Sequence, residues 1–192
     1  MSTKPARAAR ASGLDALPTR DDEGRWLAVI EATQGTRHKF KYHAGSDAFV
    51  LSGVLPLGLG FPYDFGFLPS TLGDDGDPLD VLVLADEALP LGALAPVRIV
   101  GVIEAEQQEK GGRAERNDRL LAVTDPSHRY RGCRALADIA KNVLDEIERF
   151  FVVYNQAKDV RFTPLARRDR AAAERLVRNG QRRFGERGAR AD

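Results

Sequence analysis

With 192 residues, 43% of them apolar and 30% charged, the chain has the size and composition of one soluble globular domain and is too short for two of typical size. No stretch approaches the roughly 18 apolar residues of a membrane helix, and a single cysteine, Cys133, excludes an internal disulfide and points to a reducing cytoplasm. The net charge of +1 conceals a segregation: residues 1–20 carry four basic groups and one acidic, residues 161–192 carry ten and four, and the stretch between carries fifteen and twenty-three. An acidic centre attracts divalent cations, whereas basic ends read as solvated or helical arms. Those arms show neither zinc-finger spacing nor an aromatic-interleaved basic motif, so nucleic acid is not an expected partner.

The first segment, MSTKPARAARASG, is basic without a secretory apolar run; it reads as a frayed tail, with an organelle transit segment as the alternative. From Arg25 the pattern turns to short strands: RWLAVIEA (25–32), weakly alternating, then RHKFKYH (37–43) and AFVL (48–51), separated by Gly-, Asp- and Ser-bearing turns. The stretch 53–73 holds three Pro and five Gly, too many breakers for regular structure, and its Phe and Leu content predicts an ordered loop packed on the core. VLVLADE (81–87) and VRIVGVIEAE (97–106) read as buried strands, and a polar hairpin tip over 107–117 leads into DRLLAVTD (118–125). After Pro126 the period becomes helical. Val143, Leu144, Ile147, Phe150, Phe151 and Tyr154 recur at three and four within 141–158, with Asp145, Glu146 and Arg149 on the wet side. A second, basic helix is predicted over 167–183, ended by Asn179-Gly180. The sum is an α+β fold, a β-rich core with helices beside it.

The chemistry concentrates in DDGDPLDVLVL (74–84), four carboxylates in seven residues running into an apolar strand. Gly76 permits a tight turn and Pro78 restricts it. A hard cation such as Mg²⁺ takes oxygen ligands and keeps several waters, so Asp75, Asp77 and Asp80 suffice for more than one ion. Such ions clamp a phosphate and lower the pKa of a bound water. The spacing is not that of an EF-hand. DG and DP pairs are also ordinary turn formers, and an acidic surface turn is the competing reading.

DGDPLDVLV resembles the signature of the soluble family I inorganic pyrophosphatases, in which Asp-x-Asp-Pro-x-Asp precedes a strand. FPYDFGFLPSTLGDDGDPLD resembles the family's segment entering those aspartates, HKFKY its Lys-bearing second strand, NDRLLAV its Asp-x-Lys-Leu-x-Ala-Val strand and FFVVYN its helical Phe-Phe-x-x-Tyr-Lys, all in order between about 26 and 161. The resemblance implies a small five-stranded, OB-like β-barrel flanked by C-terminal α-helices. It implies a flexible basic tail over 1–24, a pyrophosphatase-like domain over 25–165, and a basic helix and tail over 166–192. It further implies a cytoplasmic homo-oligomer that hydrolyses pyrophosphate with two or more Mg²⁺ ions per site. Asp75 and Asp80 then match metal ligands, and Asp77 the carboxylate that orients or deprotonates the attacking water. Lys39 and Tyr154 match phosphate contacts, and Glu31 a first-strand glutamate. Lys39 and Glu31 as solvated strand residues, and Tyr154 as core, are the bland alternatives.

The chain departs from that pattern at several positions. Lys41 stands in place of a glutamate, Ser52 of a phosphate-binding arginine, Phe65 of a tyrosine and Asn155 of a lysine. At the second aspartate pair Asn117 takes a metal-ligand position with one charge fewer, and Arg119 replaces a lysine while keeping a forked donor set for phosphate. The preceding hairpin is longer, so Glu106, Glu109 and Glu115 are candidate substitutes for the first aspartate. Lys39 and Lys41, two apart on a strand, are expected to face one cleft. These losses leave two alternatives to pyrophosphate hydrolysis: a catalytically impaired binding or regulatory protein, and a hydrolase of an organic diphosphate.

Overall fold

The computed structural model describes residues 13–189, so the first twelve residues of the tail expected over 1–24, and the last three of that expected over 166–192, lie outside the described residues. Val-, Ile- and Leu-rich runs form most of the strands: β1 (Trp26–Ala32), β2 (His38–His43), β3 (Ala48–Val54), β4 (Asp64–Phe67), β5 (Asp80–Leu84), β6 (Leu94–Glu109), the two-residue β7 (Glu115–Arg116) and β8 (Arg119–Thr124). Helix α1 (Lys141–Gln156) follows, and β9 (Val160–Asp169) runs directly into α2 (Arg170–Ala189). β1 pairs with β4 and β6, β4 with β5, β5 lies parallel to β8, and β8 returns to β6, so five strands pair in a ring. β7 and β9 extend β6, giving a mixed seven-stranded sheet with two C-terminal helices, in agreement with the expected α+β architecture.

Alternate side chains of these strands enter two apolar layers. Leu82 and Leu84 of β5 join the layer that takes Leu144, Ile147, Phe150 and Phe151 of α1, while Val81 and Val83 join the layer that takes Ala173 and Val177 of α2. Strands covered on both faces read as continuous apolar runs, which is why all seven residues of β1 are buried despite the weak alternation expected there. Each large apolar side chain so buried contributes about 1.5–3 kcal/mol.

Several expectations are corrected. The breaker-rich stretch 53–73 contains β4, a central member of the ring. Its Gly66 is required because a Cβ there would stand 1.8 Å from the Val29 carbonyl oxygen of β1. The hairpin β2–β3 forms its own two-stranded sheet outside the ring. Within the polar tip, β6 continues to Glu109 and β7 pairs back onto it, and β9 is a strand that the sequence pattern does not announce. α2 does not end at Asn179-Gly180. It continues because Gly180 serves packing: its Cβ position lies 2.8 Å from Leu79 Cδ1, and its carbonyl accepts from Leu72 N–H at 3.0 Å. On α1, Glu146 and Arg149 are exposed, whereas Asp145 pairs with Arg167 of β9 at 2.6 Å. Residues 13–24 pack on the domain, with buried Thr19 donating to the Pro69 carbonyl and Ser70 N–H donating to that of Asp15.

Candidate active site

The acidic loop leaves the end of β4 and re-enters the sheet as β5. Thr71, fully buried, staples its base: the hydroxyl donates to the Leu68 carbonyl at 2.6 Å and accepts from Leu79 N–H at 3.0 Å. Gly73 N–H donates to the Asp77 carbonyl at 2.7 Å, Asp77 N–H donates to Asp75 Oδ1 at 3.1 Å, and Gly76 turns the chain at φ +84°. From the far side α2 braces the loop, through Arg183 to Asp74 at 2.6 Å and Arg187 to the Gly76 carbonyl at 3.4 Å. Charge that would repel itself is thus held in place by backbone bonds and a basic helix.

The loop forms one wall of a cleft of about 720 Å³, whose lining includes Glu31, Lys39, Lys41, Asp75, Asp77, Asp80, Asn117, Arg119, Tyr154 and Asn155. Seven elements and loops far apart in sequence therefore bring the expected site residues together. Lys39 and Lys41 both reach the cleft, as their shared strand face predicts. Glu109 and Glu115 of the hairpin line it, whereas Glu106 faces Arg116 across the β6–β7 ladder and does not. Ser52 and Phe65 also lie outside the lining. Ser52 is the extra residue of a β-bulge and donates to the Lys39 carbonyl at 3.0 Å. Phe65 is buried beneath the cations, its ring centre 5.1 Å from Lys39 Nζ. Asn155 spends its amide donor on the Phe151 carbonyl one turn back, at 2.8 Å.

The electrostatics are sharply divided. Lys41 Nζ grips both oxygens of Asp77, at 2.8 and 2.7 Å, in an exposed pair. Arg119 Nη1 donates to Asp80 Oδ2 at 2.5 Å and also to Asn117 Oδ1, with its guanidinium carbon 5.1 and 5.4 Å from the ring centres of Phe151 and Phe162. Burial pushes the Glu31 carboxyl up to about 7, against the pull of the Tyr42 N–H that it accepts at 2.8 Å. Glu31 escapes the β1–β4 ladder because the register shifts across it, and that irregularity aims its carboxylate at β2. Burial alone would lower the Lys39 ammonium. Asp80, then Tyr154 and Glu31, outweigh it and raise the group. The Asp75 carboxyl is raised by burial first, then by the charges of Asp80 and Asp77.

Four further cations line the cleft, among them Arg116, which pairs with Asp118 at 2.9 Å. Lys158 lies 3.8 Å from the centre of the Tyr154 ring and donates to its hydroxyl, standing two positions beyond the end of α1, near where Asn155 offers no charge. Arg113 reaches in from the hairpin and Arg187 from α2. No local signal marks them, since their place depends on where β6, β7 and α2 fold back.

The carboxylate oxygens of Asp75, Asp77 and Asp80 are hard donors of the kind that fit a cation such as Mg²⁺. Among the described residues no three His, Cys, Asp or Glu side chains converge closely enough to enclose an ion. Mg²⁺ takes only one or two carboxylates and completes its shell with water and substrate oxygens. The Asp80–Asn117 oxygens are a different case, because Arg119 already occupies both.

Carboxylates and cations lining one cleft, on an OB-like sheet with two C-terminal helices, are the features of a phosphate-handling protein. Comparison with known proteins is specific: the model of the inorganic pyrophosphatase family matches residues 28–185. An inorganic pyrophosphatase of Nostoc is 38% identical over 141 residues, spanning 73% of this chain and 80% of that protein. That of Thermus thermophilus is 36% identical over 171 residues, spanning 87% and 95%. The crystal structure of the Thermus thermophilus inorganic pyrophosphatase superposes with a TM-score of 0.82 at 33% identity, covering 90% of this chain and 99% of that one. The chain belongs to the inorganic pyrophosphatase family. Among its described residues no helix is long and apolar enough to cross a membrane.

Proposed function

We propose that this chain hydrolyses inorganic pyrophosphate to two phosphates with Mg²⁺. The observation that carries the reading is the single cleft in which Asp75, Asp77 and Asp80 face Lys39, Lys41, Arg119 and Lys158. Asp75 and Asp80 would hold Mg²⁺, which when bound supplies charge neutralisation and a water of lowered pKa. Asp77 accepts the proton of the attacking water. As the water oxygen bonds to one phosphorus, the bridging P–O bond breaks and its electrons leave with the second phosphate. Lys39, Lys158 and the Tyr154 hydroxyl surround that leaving group, where positive charge and a donor are most effective. Lys41 holds Asp77 before substrate arrives, and a phosphate oxygen competes for it, freeing the carboxylate. Membership of the family further supports a cytoplasmic homo-oligomer, for which exposed Val50, Leu51 and Val54 of β3 offer apolar surface.

The test is phosphate release from pyrophosphate with Mg²⁺ by the native chain and by Asp77→Asn. Native turnover well above a metal-only control, with a loss of about 10²–10⁴ in the variant and an unchanged unfolding midpoint, is expected. No release by the native chain would support the binding or regulatory alternative, and release only from organic diphosphates would redirect the substrate.

A further inference from the structure

The Asp80–Asn117 end of the cleft carries a matched pair of departures from the family pattern. Asparagine at 117 removes one negative charge, and arginine at 119 replaces a compact ammonium with a planar fork. In the fold these two changes meet: Arg119 Nη1 donates to Asp80 Oδ2 at 2.5 Å and to Asn117 Oδ1, so one guanidinium nitrogen bridges both oxygens. The guanidinium is also immobilised. The side chain is buried, Phe151 and Phe162 pack around it, and Nη1 reaches the Asp118 carbonyl at 3.3 Å. An ion bound by Asp80 and Asn117 would have to displace this fixed positive group or share its two acceptors, like charge against like.

We propose that Arg119 is a tethered cation that takes the place of one divalent ion at the Asp80–Asn117 end of the cleft. Asn117 then has a defined part: its neutral carbonyl accepts from the guanidinium without restoring the second charge that would again recruit a metal. Asp75 and the outward oxygen of Asp80 are left for Mg²⁺. The inference builds on the reading of this cleft as a divalent-cation site, yet it concerns only a difference in the number of ions.

The experiment counts Mn²⁺, which shares the preference of Mg²⁺ for carboxylate and water oxygens, by equilibrium dialysis of the full chain. The double variant Asn117→Asp/Arg119→Lys is expected to bind one more ion per chain than the native protein. Asn117→Asp alone is expected to gain none, because Arg119 still neutralises the site. Equal counts in native and double variant, or a gain in Asn117→Asp alone, would overturn the proposal. A native chain that binds no Mn²⁺ beside a double variant that binds one would uphold it while removing the Mg²⁺ reading. Equal non-zero counts would do the reverse. If circular dichroism shows the double variant unfolded, Arg119→Lys alone decides: a Kd for Mn²⁺ at least threefold tighter than native supports the proposal, and an unchanged isotherm ends it.

Discussion

Two ion pairs of like chemistry stand at the two ends of the cleft, Arg119 with Asp80 and Lys41 with Asp77. The side chains of the first are 4% and 22% exposed, those of the second 53% each. The difference assigns them different work. A buried guanidinium packed between aromatic rings cannot leave, so Arg119 is part of the frame that fixes Asp80. Lys41 is a long, solvated chain whose grip on Asp77 is worth less than about 1 kcal/mol and yields to substrate. The same charge pattern is structural at one end and exchangeable at the other, and solvent access is what separates them.

Breaking the buried end has the largest expected effect. Arg119→Met leaves Asp80 without its partner in a desolvated place and is expected to cost about 3 kcal/mol in urea unfolding. Millimolar Mg²⁺ should return part of that loss, since an ion that binds only the native state stabilises it. Next in size is Glu31, at the floor between the two pairs. Its folded value of about 7 lies above the unfolded 4.5, so the native state holds the extra proton. Stability therefore falls as pH rises from about 4.5 to about 7 and is level beyond. Glu31→Gln keeps the acceptor for Tyr42 N–H and should match the native protein near pH 4. By pH 8 it should exceed it by about 3 kcal/mol, with turnover reduced.

A smaller effect probes the brace beneath the exposed end. Gly180→Ala gains helix propensity of about 1 kcal/mol but drives a methyl against Leu79 and Leu72, which flank the acidic loop. Overpacking of about 1–3 kcal/mol should win, leaving a net loss near 1 kcal/mol and a raised KM as the loop shifts. The smallest change in stability belongs to Lys41→Gln: under about 1 kcal/mol at any salt concentration, with KM for pyrophosphate raised. A stability loss there as large as that of Arg119→Met would erase the distinction between the two ends.

Legibility followed the same division between near and far. Asp75, Asp77 and Asp80 stand within one turn-rich loop, so their proximity is written in their spacing, and Lys39 and Lys41 share a strand face for the same reason. Helix α1 was evident because its apolar residues recur at the helical period on the face that packs the sheet. β4 was hidden because Gly66, demanded by the close approach of β1, looks locally like a breaker. Gly180 misled in the same way, as a helix stop that is in truth a contact. The cleft roles of Lys158, Arg113 and Arg187 had no local signature, since each arrives from an element placed by distant pairings.

The sequence by itself determined the elements with a strong period, the order of the family's motifs and the acidic loop, because these depend on residues close together along the chain. Only the tertiary structure decided which cations replace the lost ones, that Ser52 and Phe65 leave the cleft wall, and that Arg119 sits on Asp80 and Asn117. Those outcomes are settled by burial and by pairing between segments tens of residues apart, where desolvation and packing, not local preference, select the partner.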